Sequence, residues 1–374
     1  MNVGILTFYK DDNYGSVLQA VALKTYLKSI GCESKIIDIT SQRSLFLSRE
    51  THLVSAQRIK RGVNRLLLAV NFQGYQDGMQ KKAEIFEKFR EENLDIIPYS
   101  EDLNENFDGF IAGSDQIWNC THGLKKVYFL DFADDSSFKI SYAASFGSVN
   151  MPDEYRDEVK ELLNRFDGIS VREKQGQAIL KQRFDVDAPV VCDPCFLLSK
   201  AEWKELLGIQ EKKEEYILCY FLGEQKIYWK IVDEYAKKYD VPVKVIPGTS
   251  FVRYCNCEVL YECGPREFVE YIVSARFFFT DSFHGMVFSL IMNTPMIPFK
   301  RFAENDENSQ NSRVVDLMER FGCTDGFAGR NISCVKPVIV SQEATERILD
   351  SFVSASKEFL MQVNEKVKTG EIYE

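Results

Sequence analysis

The stretch Phe277-Phe278-Phe279-Thr280-Asp281-Ser282-Phe283-His284-Gly285-Met286 puts an imidazole where an anion would be drawn. It reads as a buried apolar strand that turns through a short polar loop into an apolar helix ended by Asn293-Thr294-Pro295. His284, one of only three histidines in the chain, falls in the first turn of that helix. The free backbone amides and positive dipole end of such a helix attract an anion, and Asp281 or Ser282 supplies the cap. Phosphate chemistry is the first chemistry this implies. The alternative is a capped helix whose histidine is satisfied in the core.

Three more loops gather polar residues at strand ends. Asn13-Tyr14-Gly15-Ser16 presents an amide, a hydroxyl and a helix N-terminus. Gly113-Ser114-Asp115-Gln116-Ile117-Trp118-Asn119 puts a carboxylate, an amide and an indole on one turn. Either these groups meet sugar hydroxyls, or Ser114 and Asp115 simply cap a helix. In Val171-Arg172-Glu173 a strand delivers Arg172 to its carboxyl end, where it meets either a ligand or a neighbouring carboxylate. Lys300, Arg301 and Arg313 add cations beside the His284 turn.

The elements that must position these loops follow from the apolar pattern. Residues 3–8 read as a buried strand, Ser16 to Ile30 as a helix stopped by Gly31, and Ser34 to Ile39 as a second strand. That is a βαβ unit, which implies a parallel sheet with a right-handed crossover. The Asn13 loop then sits at the carboxyl end of the first strand, where open α/β sheets bind ligands. It lacks GxGxxG, which disfavours a dinucleotide. Strands are expected at 109–112, 139–144, 168–171 and 189–192, with helices at 153–165 and 173–182. Residues 199–215 turn polar, so the boundary falls near 205, giving an N-terminal domain over 1–205 and a C-terminal one over 206–374. The second set comprises a strand at 216–221, a helix from Lys226 to Lys238, a strand at 243–246, a helix from Pro265 to Ala275, the Phe277 strand and a strand ending at Pro298-Phe299-Lys300-Arg301. The fold class expected is α/β, with two Rossmann-like domains facing a cleft. A helical insertion is expected over about 45–92; its basic segment Gln57 to Leu68 rests either on an anionic membrane surface or on its own domain.

At 374 residues the chain exceeds the usual size of one core. With 45% hydrophobic and 27% charged residues it is an ordinary globular composition. The start Met1 to Phe8 lacks the marks of a signal peptide and no apolar run reaches membrane-spanning length, so a cytoplasmic protein is expected. A net charge of -10 argues against general nucleic-acid binding, so an anionic ligand needs a local basic pocket. The ten cysteines are scattered through apolar segments and read as reduced. Cys192 and Cys195 have CxxC spacing and Cys255, Cys257 and Cys263 lie close in sequence, but without a nearby histidine neither group reads as a zinc site.

Taken in order, these segments resemble the polysaccharide pyruvyl transferase family. The matching pieces are Gly4-Ile5-Leu6-Thr7 with Asn13-Tyr14-Gly15-Ser16, Gly113-Ser114-Asp115-Gln116-Ile117-Trp118, Ser170-Val171-Arg172-Glu173, Asp193-Pro194, Asp281-Ser282-Phe283-His284-Gly285 and Ser312-Arg313. They span residues 1–325; the helices of 45–92 and 342–366 fall outside them. The resemblance implies a GT-B-like fold and transfer of the enolpyruvyl unit of phosphoenolpyruvate onto two hydroxyls of one sugar, making a pyruvate ketal and releasing phosphate. It implies that His284 is the catalytic or phosphate-contacting histidine and that Arg172 and Arg313 bind the donor. The acceptor side then falls to the N-terminal domain: Asn13, Tyr14, Gly15, Ser16, Ser114, Gln116 and Trp118. Phosphoenolpyruvate carries a carboxylate and a phosphate, so fixed cations suit it, and Arg172, Lys300, Arg301 and Arg313 supply them beside Ser282 and Gly285. His284 is the candidate general acid, and Asp115 is either a base or a sugar ligand. No cofactor or metal is expected if these cations and the helix amides stabilise the leaving phosphate. The acceptor implied is a surface-polysaccharide or glycolipid precursor, met at the inner face of a membrane if lipid-linked.

Two other classes fit the same architecture: a GT-B glycosyltransferase using a nucleotide sugar, and a non-catalytic carbohydrate-binding protein. The first lacks a glycine-rich nucleotide loop here. The second leaves His284, Arg172 and Arg313 without a task.

Overall fold

The computed structural model describes residues 1–40, 75–147, 151–223, 225–248, 257–303, 306, 309–328, 336–339 and 342–369. In chain order the first half runs β1 (Asn2–Leu6), α1 (Tyr14–Ser29), β2 (Glu33–Asp38), α2 (Tyr75–Asn93), β3 (Ile96–Pro98), β4 (Gly109–Ala112), β5 (Phe138–Ala144), α3 (Arg156–Leu163), β6 (Gly168–Val171) and α4 (Lys174–Phe184). Its six strands form one parallel sheet in the order β3-β2-β1-β4-β5-β6. After α5 (Lys200–Leu207) come β7 (Ile217–Tyr220), α6 (Lys226–Tyr239), β8 (Val243–Ile246), β9 (Glu258–Val259), α7 (Pro265–Ser274), β10 (Phe277–Thr280), α8 (Phe283–Met292), β11 (Met296–Pro298), α9 (Asn311–Arg320) and α10 (Gln342–Thr369). The five later strands make a second parallel sheet, β11-β10-β7-β8-β9.

Two parallel α/β sheets are what the repeated strand-then-helix order implies. The central strands are apolar runs, such as Gly109–Ala112 and Phe277–Thr280, buried throughout because helices cover both faces. Chain order reverses between β1 and β4 in the first sheet and between β7 and β10 in the second. Each reversal opens a crevice at the carboxyl ends of the strands. Helix α1 is buried from Tyr14 to Leu23 because it lies between the sheets: one continuous apolar cluster joins Val3 and Ile5 to α1 and on to Phe278, Met286 and Phe288.

Several expected elements change in detail. Residues 153–165 begin with a 3-10 turn at Asp153–Tyr155, and only Arg156–Leu163 is α-helical. The 189–192 strand is reduced to one bridge, Val171 to Val190. Helix α9, which carries Arg313, was not expected. Helix α10, expected with the second half, crosses back to the first: Cys192 N donates to Ser356 Oγ at 2.8 Å, and Phe359 packs on Tyr142. Of the helical insertion, α2 is described, whereas the basic segment Gln57 to Leu68 lies outside the described residues. Among the described residues no helix is long and apolar enough to cross a membrane.

Candidate active site

Both crevices open onto the same point. Loops after β1 and β4 arrive from the first sheet and the loop after β10 from the second. Ser282 is the N-cap of α8, its Oγ accepting from Gly285 N at 3.3 Å. Asp281 turns away and accepts from the Leu222 and Gly223 amides, each at 2.7 Å, which fastens the neighbouring β7 loop. His284 therefore projects from the first turn of α8 toward α1, where its ring lies on Gly15: a Cβ built on that glycine would fall 2.0 Å from Nδ1. Only a residue without a side chain permits the two helix ends to approach so closely.

On its other side the imidazole meets Asp193. His284 Nε2 stands 3.3 Å from Asp193 Oδ2, but off the line of a hydrogen bond, and Nε2 has no other partner. The same Oδ2 accepts from Arg172 Nη1 at 2.9 Å, while Oδ1 accepts from Cys195 N at 3.0 Å. Ser114 Oγ bridges the pair, 3.4 Å from both Asp193 Oδ2 and Arg172 Nη1. Arg172 lies 4.6 Å over the Phe283 ring, its Nη2 is 3.9 Å from Asp115 Oδ1, and its Nε is 3.7 Å from Glu173 Oε2. Neither Nε nor Nη2 makes a hydrogen bond. Burial raises the carboxyl of Asp193, but His284 and Arg172 outweigh it and hold it well below the usual carboxylate range. Burial likewise works against Asp115, and Arg172, His284 and the Ser16 hydroxyl bring it below its ordinary value. Burial pushes Glu173 up despite Arg172 and Arg313.

Asp115 holds its place through a left-handed backbone, φ 75°, and accepts from Ser16 Oγ at 2.7 Å, which ties the β4 loop to the start of α1. Gln116 reaches the second half: turned with its amide oxygen toward Arg313, it accepts from both terminal guanidinium nitrogens at 2.9 and 3.0 Å. Arg313 comes in from α9, stacks 5.8 Å from Phe283, and keeps Nε without a partner. Burial and the nearby Arg172 push its guanidinium down to about 10.

The fold thus brings Gly15, Ser16, Ser114, Asp115, Gln116, Arg172, His284 and Arg313 together. Other expected site residues serve the scaffold. Asn13 is the N-cap of α1, its Oδ1 accepting from Gly15 N and Ser16 N. Tyr14 stacks on Phe268 and its hydroxyl donates to Cys263 O at 2.8 Å. Trp118, expected to meet a sugar, is 0% exposed, stacked on Phe129, with its indole N–H donating to Tyr128 O at 3.0 Å. Its aromatic faces are spent inside the first core, which leaves none for a ligand. Gly285 is close to Thr280, whose Oγ1 would lie 2.6 Å from a Cβ there. Lys300 does not join the cations: its ammonium stands 5.4 Å over Phe327. Arg301 lies at the edge, Nε 3.8 Å from Asp281 Oδ2. Asp193 and Glu173, given no separate role by sequence, are at the centre.

No histidine lies near the CxxC pair in sequence, but His284 comes beside it after folding. Asp193, Cys195 and His284 offer ligand atoms within 4.8 Å of one another. Arg172 already places a cation on the Asp193 oxygen that faces His284, and burial pushes the Cys195 thiol well above its ordinary value. The set is therefore arranged as an ion-paired network, not as a ligand shell.

In overall shape the chain is similar to several solved proteins. A UDP-GlcNAc 2-epimerase from Neisseria meningitidis, solved with UDP-GlcNAc, is 11% identical at TM-score 0.45, covering 98% of this chain and 100% of its own. A glycosyltransferase from Rickettsia africae is 9% identical at TM-score 0.45, covering 98% of each chain. The E. coli heptosyltransferase WaaC is 13% identical at TM-score 0.36, covering 85% of this chain and 99% of its own. A comparison with curated proteins finds no match. The sequence profile described as polysaccharide pyruvyl transferase matches residues 13–301, a span that holds His284, Arg172, Asp115 and Asp193, and on that match the chain belongs to the polysaccharide pyruvyl transferase family, transferases of polysaccharide pyruvylation that act on a sugar acceptor.

Proposed function

We propose that this transferase takes its pyruvyl group from phosphoenolpyruvate and places it as a cyclic ketal on two hydroxyls of one sugar in a surface-polysaccharide or glycolipid precursor. The observation that supports this reading most is the pair of buried arginines, Arg172 and Arg313, whose unpartnered N–H groups flank Phe283 beside His284. A small ligand with two anionic groups suits two fixed guanidinium forks, and buried donors without partners are costly unless a ligand completes them.

In the reaction so read, His284 gives a proton to C3 of the enol, and positive charge develops at C2. A sugar hydroxyl oxygen bonds to C2, losing its proton to Asp115, the nearest carboxylate on the acceptor side. The second hydroxyl then bonds to C2 as the C2–O bond to phosphate breaks; its proton returns to His284, and phosphate leaves against the arginines and the α8 amides with the electron pair and the proton held by Asp115. Phosphoenolpyruvate and a diol become a ketal and inorganic phosphate. A lipid-linked acceptor would bring the protein to a membrane surface.

Isothermal calorimetry of phosphoenolpyruvate against the wild type and Arg172→Ala, with a nucleotide-sugar panel alongside, tests the donor. Binding weakened at least about tenfold in the variant is expected, since a hydrogen bond to a charged group is worth roughly 1.5–3 kcal/mol. No binding of phosphoenolpyruvate together with a nucleotide-sugar signal would move the chain to nucleotide-sugar chemistry.

A further inference from the structure

We infer that Asp193 is the positioning residue of the imidazole: it holds the proton on His284 Nε2 and leaves Nδ1 as the nitrogen that serves the substrate. This deepens the proposed function and rests on His284 being its acid. Asp193 is 2% exposed and reaches two halves of the molecule with one oxygen, Oδ2, which meets Arg172 Nη1 from the end of β6 and His284 Nε2 from α8. Its other oxygen is fixed by Cys195 N, so the carboxylate cannot rotate without losing a bond. Nε2 is buried and faces no other acceptor; at 3.3 Å from Oδ2 and off the hydrogen-bond line, it meets the carboxylate through charge, while Nδ1 lies on the α1 side of the ring, against Gly15.

A carboxylate acceptor favours a proton on the nitrogen that faces it, in the neutral ring as much as in the imidazolium. With Nε2 so committed, the labile proton of the imidazolium is the one on Nδ1. After Nδ1 delivers it to C3, the neutral ring keeps Nε2–H toward Asp193 and waits for the next proton. The charged or titratable groups that bear on the ring are Asp193, Cys195, Asp115 and, behind Asp193, Arg172. Helix α1 contributes only the Gly15 backbone, and Asp281 on the same turn faces Leu222 and Gly223 instead. Asp193 is thus the carboxylate closest to the imidazole, and it also fixes Arg172, so one side chain aligns the acid with a donor-binding cation.

The chain has three histidines, His52, His122 and His284, so long-range 1H–15N spectra of 15N-histidine protein, assigned with His284→Gln, resolve this ring. The neutral ring in the wild type is expected to carry its proton on Nε2; a proton on Nδ1 overturns the inference without any variant. In Asp193→Asn, which no longer offers a carboxylate to the ring, the Nε2–H tautomer of neutral His284 is expected to lose its dominance in the same spectra. The same variant loses turnover at least about 100-fold while donor affinity changes less than about tenfold. A neutral ring that keeps its proton wholly on Nε2 in Asp193→Asn overturns the inference. Should the wild type not turn over phosphoenolpyruvate at all, the donor reading fails, yet the tautomer still decides the role of Asp193.

Discussion

Gly15 of α1 and His284 of α8 touch across the two sheets, with room for a hydrogen and not for a methyl group. A Cβ at position 15 would stand 2.0 Å from Nδ1 and 2.3 Å from Cγ of the ring. The backbone of Gly15 is ordinary helix, so alanine meets no conformational penalty there and raises helix propensity. All the cost falls on the imidazole, which must leave its place between Gly15 and Asp193.

Gly15→Ala is accordingly expected to fold but to melt a few degrees below the wild type, since overpacking a buried contact costs about 1–3 kcal/mol, to bind the donor within about threefold, and to lose turnover by roughly a hundredfold, since small misplacements of a reacting group cost about that much. Steady-state kinetics beside a thermal melt checks it. Full activity in a folded Gly15→Ala protein would show that the ring does not work from this position.

Removing the imidazole separates chemistry from binding. General acids contribute typically 10²–10⁴-fold, so His284→Ala should lower kcat by that order, whereas the donor, held by Arg172 and Arg313, keeps its affinity within a few fold. Calorimetry with phosphoenolpyruvate and a phosphate-release assay read the two quantities independently. A variant that lost donor binding and kept turnover at saturation would make His284 a binding residue instead.

The strand-loop-helix around His284 is legible in sequence because strong local signals agree: an aromatic run long enough for a buried strand, Ser282 as cap, and Asn293 where the helix ends in a left-handed residue. Parallel sheets are legible for the same reason. What sequence does not carry is which polar side chains face one another. Asp193 precedes a proline and reads as the start of a turn, which it is, capping Pro194–Leu197. Its role arises only when the first sheet sets it beside Arg172 and the second brings His284 to it. Trp118 fails in the opposite sense. Its neighbours on the turn are polar, but Ile117 and Trp118 point into the core under Phe129 and Phe146, an orientation fixed by tertiary packing.

That placement makes Trp118 a stability residue. Trp118→Ala removes a fully buried ring and orphans the Tyr128 carbonyl, which should cost about 3–5 kcal/mol in chemical denaturation. If the indole instead met the sugar, the variant would unfold like the wild type and show only a raised acceptor KM.

Acid should loosen the network in a direction that can be worked out. Asp193 and Asp115 both titrate below their ordinary value in the folded protein, so each contributes stability present above the unfolded carboxyl pKa of about 4 and lost as pH falls through the depressed folded value. Glu173, pushed up by burial, acts in the reverse sense, its contribution present at low pH and lost as pH rises through its folded value. Asp193→Asn leaves Arg172 buried beside a neutral amide, and removing one partner of a buried ion pair costs about 3–5 kcal/mol. The variant should therefore melt well below the wild type at pH 7, and the gap should narrow as pH is lowered from 5 toward 3, because the wild type loses there what the variant has already lost. Thermal melts of both proteins across that range measure it. Two curves that run parallel from pH 7 to pH 3 would mean that the Asp193 charge adds nothing to the fold, and that the Arg172–Asp193 contact is maintained for the chemistry alone.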